Sequence, residues 1–163
     1  MTSKTRTRPV AADAPAIEDE DIALGLLPEL VGYHVRQAQM AIFADFDAAL
    51  GELGVSPGIF ALLVIIDANP GLKQTRLAAG ARLDRSTLVP ALDKLEQRQL
   101  VERRAAPGDR RSNGIFLTPG GGAVLEAARR AVRRHEARLA RGFAVGERTT
   151  LIDLLTRIFP EHR

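Results

Sequence analysis

Between Ser56 and Pro119 the sequence is punctuated so closely by starts, stops and turns that only short elements fit between the signals. Ser56-Pro57 pairs an N-cap with a proline at the first helical position, where the missing N–H costs least. The apolar run Ile59–Ile66 follows, and Asn69-Pro70-Gly71 stops it, which predicts a helix over 58–68. A short helix over 74–79 is closed by Gly80, and Asp84 caps another from Arg85 to about Gln99, with Leu88, Leu92 and Leu95 on one face. Residues 100–104 alternate apolar and charged as a strand does. Residues 105–113 form a turn rich in Pro, Gly, Asp and Arg, and Ile115-Phe116-Leu117 return as a second strand.

The flanks are longer and smoother. Leu24, Leu27, Leu30, Val31, Val35, Ala38, Ile42, Phe46, Ala49, Leu50 and Leu53 recur at helical spacing. They predict one long amphipathic helix from Ile22, with Pro28 near its start and Gly51 and Gly54 at its end. Thr118-Pro119 opens an Ala/Arg-rich helix to about Arg141, and a last helix covers 147–159. The apolar face of that last helix, with Leu151, Leu154, Leu155 and Ile158, is too wide for a lone surface helix and needs a partner. Residues 1–21 have no periodicity and read as a flexible arm. The fold class expected is mainly α with one small hairpin.

Composition removes several functions. There are no cysteines, so disulfides, thiolate nucleophiles, thiolate zinc sites and thiol redox sensing are excluded. Such a chain suits a reducing cytoplasm. His34, His135 and His162 are isolated, without metal-ligand spacing, so neither a metal nor any other cofactor is expected. Six Phe, one Tyr and no Trp are too few for a base-stacking sheet. No apolar stretch nears the roughly 18 residues of a membrane span, and no secretory signal is expected. Gly120-Gly121-Gly122 opens a helix but follows a hairpin strand and lacks a Lys-Ser/Thr, and no nucleophile–base pair stands out. An enzyme is not expected.

Net charge is only +3, but it is segregated. Residues 22–71 carry one Arg against five acidic residues, whereas 72–116 carry ten Lys/Arg against five and 117–145 six Arg against two. A basic block inside a near-neutral chain suits a polyanion.

The middle segment is laid out as a winged helix-turn-helix. Leu77, Ala78 and Leu83 can pack the two short helices together, leaving Arg85, Ser86, Thr87, Pro90, Ala91 and Lys94 to project outward. The N-terminal residues of such a helix reach base edges in the major groove. The hairpin loop holds Asp109, Arg110 and Arg111, a basic tip suited to the minor groove. Pro90 reads as a mild kink that bends the helix.

The segment LDRSTLVPALDKLEQRQLVER (83–103), followed by PGDRRSNGIFLTPGG (107–121), resembles the MarR family of bacterial transcriptional regulators. The marks are Asp84-Arg85-Ser86-Thr87, Leu92-Asp93-Lys94-Leu95-Glu96, Val101-Glu102-Arg103, Asp109-Arg110-Arg111-Ser112, and Leu117-Thr118 with Gly121. Gln99 departs from the pattern, which has Gly before the first wing strand. The resemblance covers about residues 22–160. It implies a homodimer whose chain ends interleave, a wing pair of Asp109 and Arg111, and an operator read as an inverted repeat. The division expected is an arm over 1–21, a dimerisation and effector helix over 22–55, a DNA-binding lobe over 56–117 and dimerisation helices over 118–163.

A ligand is also implied. Tyr33, His34, Arg36 and Gln37 form a mixture suited to an aromatic ring and an acidic group, and 32–46 resembles regulators of aromatic-acid catabolism. Some of these respond to hydroxycinnamoyl-coenzyme A thioesters. Arg36, with Arg133 or Arg134, suits phosphates. For His34 a satisfied interfacial histidine stands beside the ligand reading, and for Arg36 a plain surface charge. A regulator of free aromatic acids or of drug efflux, and an antagonist that binds protein rather than DNA, are the alternatives.

Overall fold

A computed structural model describes the backbone of residues 22–106 and 109–158, and the side chains of all of these except 106–112. The predicted arm over 1–21 and Phe159 at the end of the last helix lie outside the described residues. The chain divides into two compact units, 1–37 and 38–163.

In the first unit a 3-10 turn, Leu27–Glu29, precedes the start of helix α1 (Val31–Leu50). The continuous helix expected from Ile22 is thus corrected. Gly25 takes a left-handed φ of +56° and Leu30 is extended (φ −95°, ψ 124°), so helical apolar spacing runs on through a chain that is not one helix.

The second unit continues α1 and adds α2 (Pro57–Ala68), β1 (Leu72–Lys73), α3 (Gln74–Ala81), α4 (Arg85–Gln97), β2 (Val101–Ala106), β3 (Asp109–Leu117), α5 (Pro119–Leu139) and α6 (Glu147–Ile158). The caps are the expected ones. Ser56 accepts from the Ile59 N–H at 3.3 Å, Asp84 from Thr87 at 2.7 Å and Thr118 from Gly121 at 2.9 Å. The antiparallel sheet runs β1-β3-β2. Its edge strand β1, only two residues long, shows no alternation in the sequence.

Two helix ends differ from expectation. Helix α3 runs through Gly80 to Ala81, and α4 stops at Gln97. Both stops are 6→1 and 5→2 hydrogen-bonded turns around a left-handed residue. Leu83 N–H bonds Ala78 and Arg82 N–H bonds Ala79, with Arg82 at φ +53°. Leu100 N–H bonds Leu95 and Gln99 N–H bonds Glu96, with Gln99 at φ +55°.

The main core gathers Leu62, Leu63 and Ile66 of α2, Leu77 of α3, Leu88, Leu92 and Leu95 of α4, Ile115 of β3 and Leu125 of α5. A second cluster joins the end of α1 to α5 through Phe46, Leu50, Val55, Ala128 and Ala131. Gly121 shows how closely α5 meets the base of the wing, because a Cβ there would overlap the Leu100 carbonyl oxygen. Among the described residues, no single helix is long and apolar enough to cross a membrane.

Candidate nucleic-acid interface

Helix α4 buries one stripe and exposes another. Leu88, Leu92 and Leu95 go into the core, while Arg85, Ser86, Thr87, Pro90 and Lys94 are exposed. Ala91 is half-buried and packs against the core, so of the six residues expected to project outward it is the one drawn inward. Asp84 anchors the first turn: it accepts from the Thr87 N–H and from the Ser86 hydroxyl at 2.6 Å. The Ser86 bond, then that of Thr87, holds the Asp84 carboxyl below the usual carboxylate range. Ser86 therefore offers a partner its lone pairs rather than its proton.

Two arginines fix α4 to its surroundings, and sequence reasoning missed both roles. Arg103 of β2 donates to Glu96 at 2.6 Å and to Asp93 at 2.8 Å, so one guanidinium fork ties the wing to the helix. The signal was present, as two acids three apart on one helix face followed by an arginine in the next strand. Arg98, just past the end of α4, donates to the carbonyls of Gly54 at 2.6 Å and Leu53 at 2.8 Å. Within the wing, the Arg104 guanidinium lies 4.0 Å from the centre of the Phe116 ring. The side chains of Asp109, Arg110 and Arg111 lie outside the described residues.

The residues expected at an effector site sit early in α1. Tyr33 is half-buried and His34, Arg36 and Gln37 are exposed. His34 Nε2 donates to the Pro28 carbonyl at 2.8 Å, and the Tyr33 and His34 rings meet edge to face with centres 5.4 Å apart. In α6, Leu151, Leu154 and Ile158 are 41%, 46% and 61% exposed. Leu151 and Leu155 also line a mainly apolar groove of about 390 Å³ with Ala38, Ile42, Leu139 and Phe143. A Glu136–Arg148 ion pair at 3.0 Å lines the same groove.

One buried polar group was not anticipated. His135 of α5 is 2% exposed, and its Nδ1–H donates to Asp45 of α1 at 2.5 Å. Arg138 donates to the same carboxylate at 2.8 Å. The Arg138 bond, then that of His135, holds the Asp45 carboxyl below its ordinary range. The partners lie 90 residues apart in sequence, so no local pattern announces the pair.

A capped helix with an exposed polar stripe, packed on a short helix and tied to a three-stranded wing, defines a winged helix-turn-helix transcriptional regulator. The MarR family profile matches residues 55–112. A protein from Thauera aromatica, described as a transcriptional regulatory protein for the hcr operon, is 33% identical over 157 residues, covering 96% of this chain and 92% of its own. The chain belongs to the MarR family. Two solved structures of the transcriptional repressor CouR are similar over most of the chain. The one bound to a 23-mer DNA duplex is 38% identical with a TM-score of 0.79, covering 84% of this chain and 97% of that one. The one bound to p-coumaroyl-CoA is 35% identical with a TM-score of 0.80, covering 86% and 99%.

Proposed function

We propose that this regulator is a repressor that binds an inverted-repeat operator as a homodimer and is released by a hydroxycinnamoyl-coenzyme A thioester such as p-coumaroyl-CoA. The observation that carries the DNA-binding reading is the exposed stripe Arg85, Ser86, Thr87, Pro90 and Lys94 on a helix held at both ends. Arg85 and Lys94 supply charge, and the small residues between them allow close approach to a groove. Asp109, Arg110 and Arg111 serve the adjoining minor groove in this reading. The exposed leucines of α6 supply an apolar surface suited to a second copy.

The effector class is supported by the likeness to CouR bound to p-coumaroyl-CoA and by the ring, imidazole and guanidinium of Tyr33, His34 and Arg36. Release follows from differential affinity. A ligand that binds the DNA-incompetent arrangement better by about 1.4 kcal/mol weakens operator binding tenfold. Calorimetry with p-coumaroyl-CoA beside free p-coumarate tests the effector class. Tighter binding of the thioester is expected, and equal or tighter binding of the free acid assigns the protein to regulators of free aromatic acids instead.

A further inference from the structure

Helix α5 carries arginines in two different states. Arg129 is paired with Glu126 at 2.6 Å and Asp67 at 2.7 Å, and Arg138 with Asp45 at 2.8 Å. Arg130 and Arg134 are exposed and make no ion pair among the described residues. They lie one turn apart, and both line a cleft of about 250 Å³ between α5 and the end of α1. Ala131 lies between them, and Ala49 and Leu53 wall the far side. Two like charges at i and i+4 destabilise a helix, and an anion between them removes that cost. Guanidinium forks match phosphate oxygens in geometry as well as charge.

Two features of the cleft oppose an anion. One is the end of α1, where helix carbonyls carry partial negative charge. Arg98 sets a positive charge against it from the following turn, where it donates to the carbonyls of Leu53 and Gly54. The other is Glu52, which lines the cleft and makes no ion pair among the described residues. Glu52 therefore works against the two arginines, and its removal has a predictable sign.

We propose that this cleft takes the phosphate-bearing nucleotide end of an acyl-coenzyme A effector, with Arg130 and Arg134 donating to the phosphate oxygens. The inference rests on the acyl-coenzyme A reading for the identity of the ligand, but not on the acyl group. A recessed site built from α1 and α5, rather than from the exposed stripe of α4, favours a small ligand over the DNA backbone.

The test uses calorimetry on the full chain with coenzyme A, p-coumaroyl-CoA, and p-coumaroyl-pantetheine, which lacks the nucleotide. Inorganic phosphate serves as a competitor. The double variant Arg130→Ala/Arg134→Ala is expected to bind coenzyme A at least about tenfold more weakly. It should bind p-coumaroyl-pantetheine and operator DNA within about twofold of the parent chain. Glu52→Gln is expected to tighten coenzyme A about threefold, and phosphate should compete at millimolar concentration in the parent chain only. Unchanged coenzyme A affinity in the double variant overturns the proposal, as does an equal loss for the pantetheine thioester. A matching loss of operator affinity with a shallower salt dependence assigns the arginines to DNA and overturns it too. Failure of p-coumaroyl-CoA to release operator overturns the effector reading alone, because arginine-dependent binding of coenzyme A survives that result.

Discussion

Arg98 donates to the carbonyl of Gly54 at 2.6 Å, so the end of α4 is bonded to the turn that closes α1. Gly54 is left-handed at φ +60°, and a Cβ on it would stand 3.1 Å from the Arg98 Nη2. Removing the guanidinium strips charge-assisted bonds from two carbonyls. Arg98→Ala is expected to lower stability by about 1–2 kcal/mol in urea unfolding, discounted for the exposure of the side chain. Arg98→Lys should recover less than half of that, since an ammonium lacks the fork that serves both carbonyls.

Gln99 pays a backbone cost that glycine would not. Its φ of +55° is left-handed, it is exposed, and it stands at the position of the turn after α4 where glycine is most favourable. Gln99→Gly is expected to raise stability by about 0.5 kcal/mol, the residue of left-handed strain relieved against unfolded-state entropy gained. A small rise in Tm with unchanged operator affinity is the result to look for.

Asp45 carries the acid dependence of the contact between α1 and α5. Its carboxyl is held low in the folded chain by Arg138 and then by His135. It therefore contributes stability above the ordinary aspartate value near 4, and loses that contribution as pH falls through the lower folded value. Asp45→Asn should be destabilised at pH 7, and the gap to the parent chain should close as the pH falls below the ordinary aspartate value and on through the lower folded one. A gap that stays constant with pH would mean that the pair contributes packing and not charge.

The wing is open to a comparison between two arginines. Arg111→Ala is expected to cost about 1–3 kcal/mol in operator binding and to reduce the salt slope by about 1. Arg103→Ala should weaken binding without changing the slope, because Arg103 is spent on Asp93 and Glu96. Anisotropy titrations at several salt concentrations separate the two.

The caps at Ser56, Asp84 and Thr118 were legible because the side-chain acceptor and the N–H it serves lie three residues apart. The order of helix, helix and hairpin followed from them. What escaped was of two kinds. The stop at Arg82 uses a left-handed non-glycine residue, which leaves no compositional mark, the one at Gln99 shows only as a departure from the family's Gly, and the break before Val31 is hidden by apolar spacing that continues across it. The long-range partnerships of Arg98 with Gly54 and of His135 with Asp45 join residues far apart in sequence, and only the packed core brings them together. Within the site, the outward face of α4 was readable from its buried leucines, while the inward lean of Ala91 depended on its neighbours.

The central claim is that this chain holds an operator and lets it go for an aromatic acyl-coenzyme A. The most direct measurement is fluorescence anisotropy of the full chain on a duplex selected from a random library, titrated with p-coumaroyl-CoA. The account predicts a selected inverted repeat with half-sites about one helical turn apart. It also predicts release of that duplex by the thioester at concentrations where p-coumarate leaves it bound. A chain that selects no sequence, or a complex that the thioester leaves intact at saturation, would contradict it.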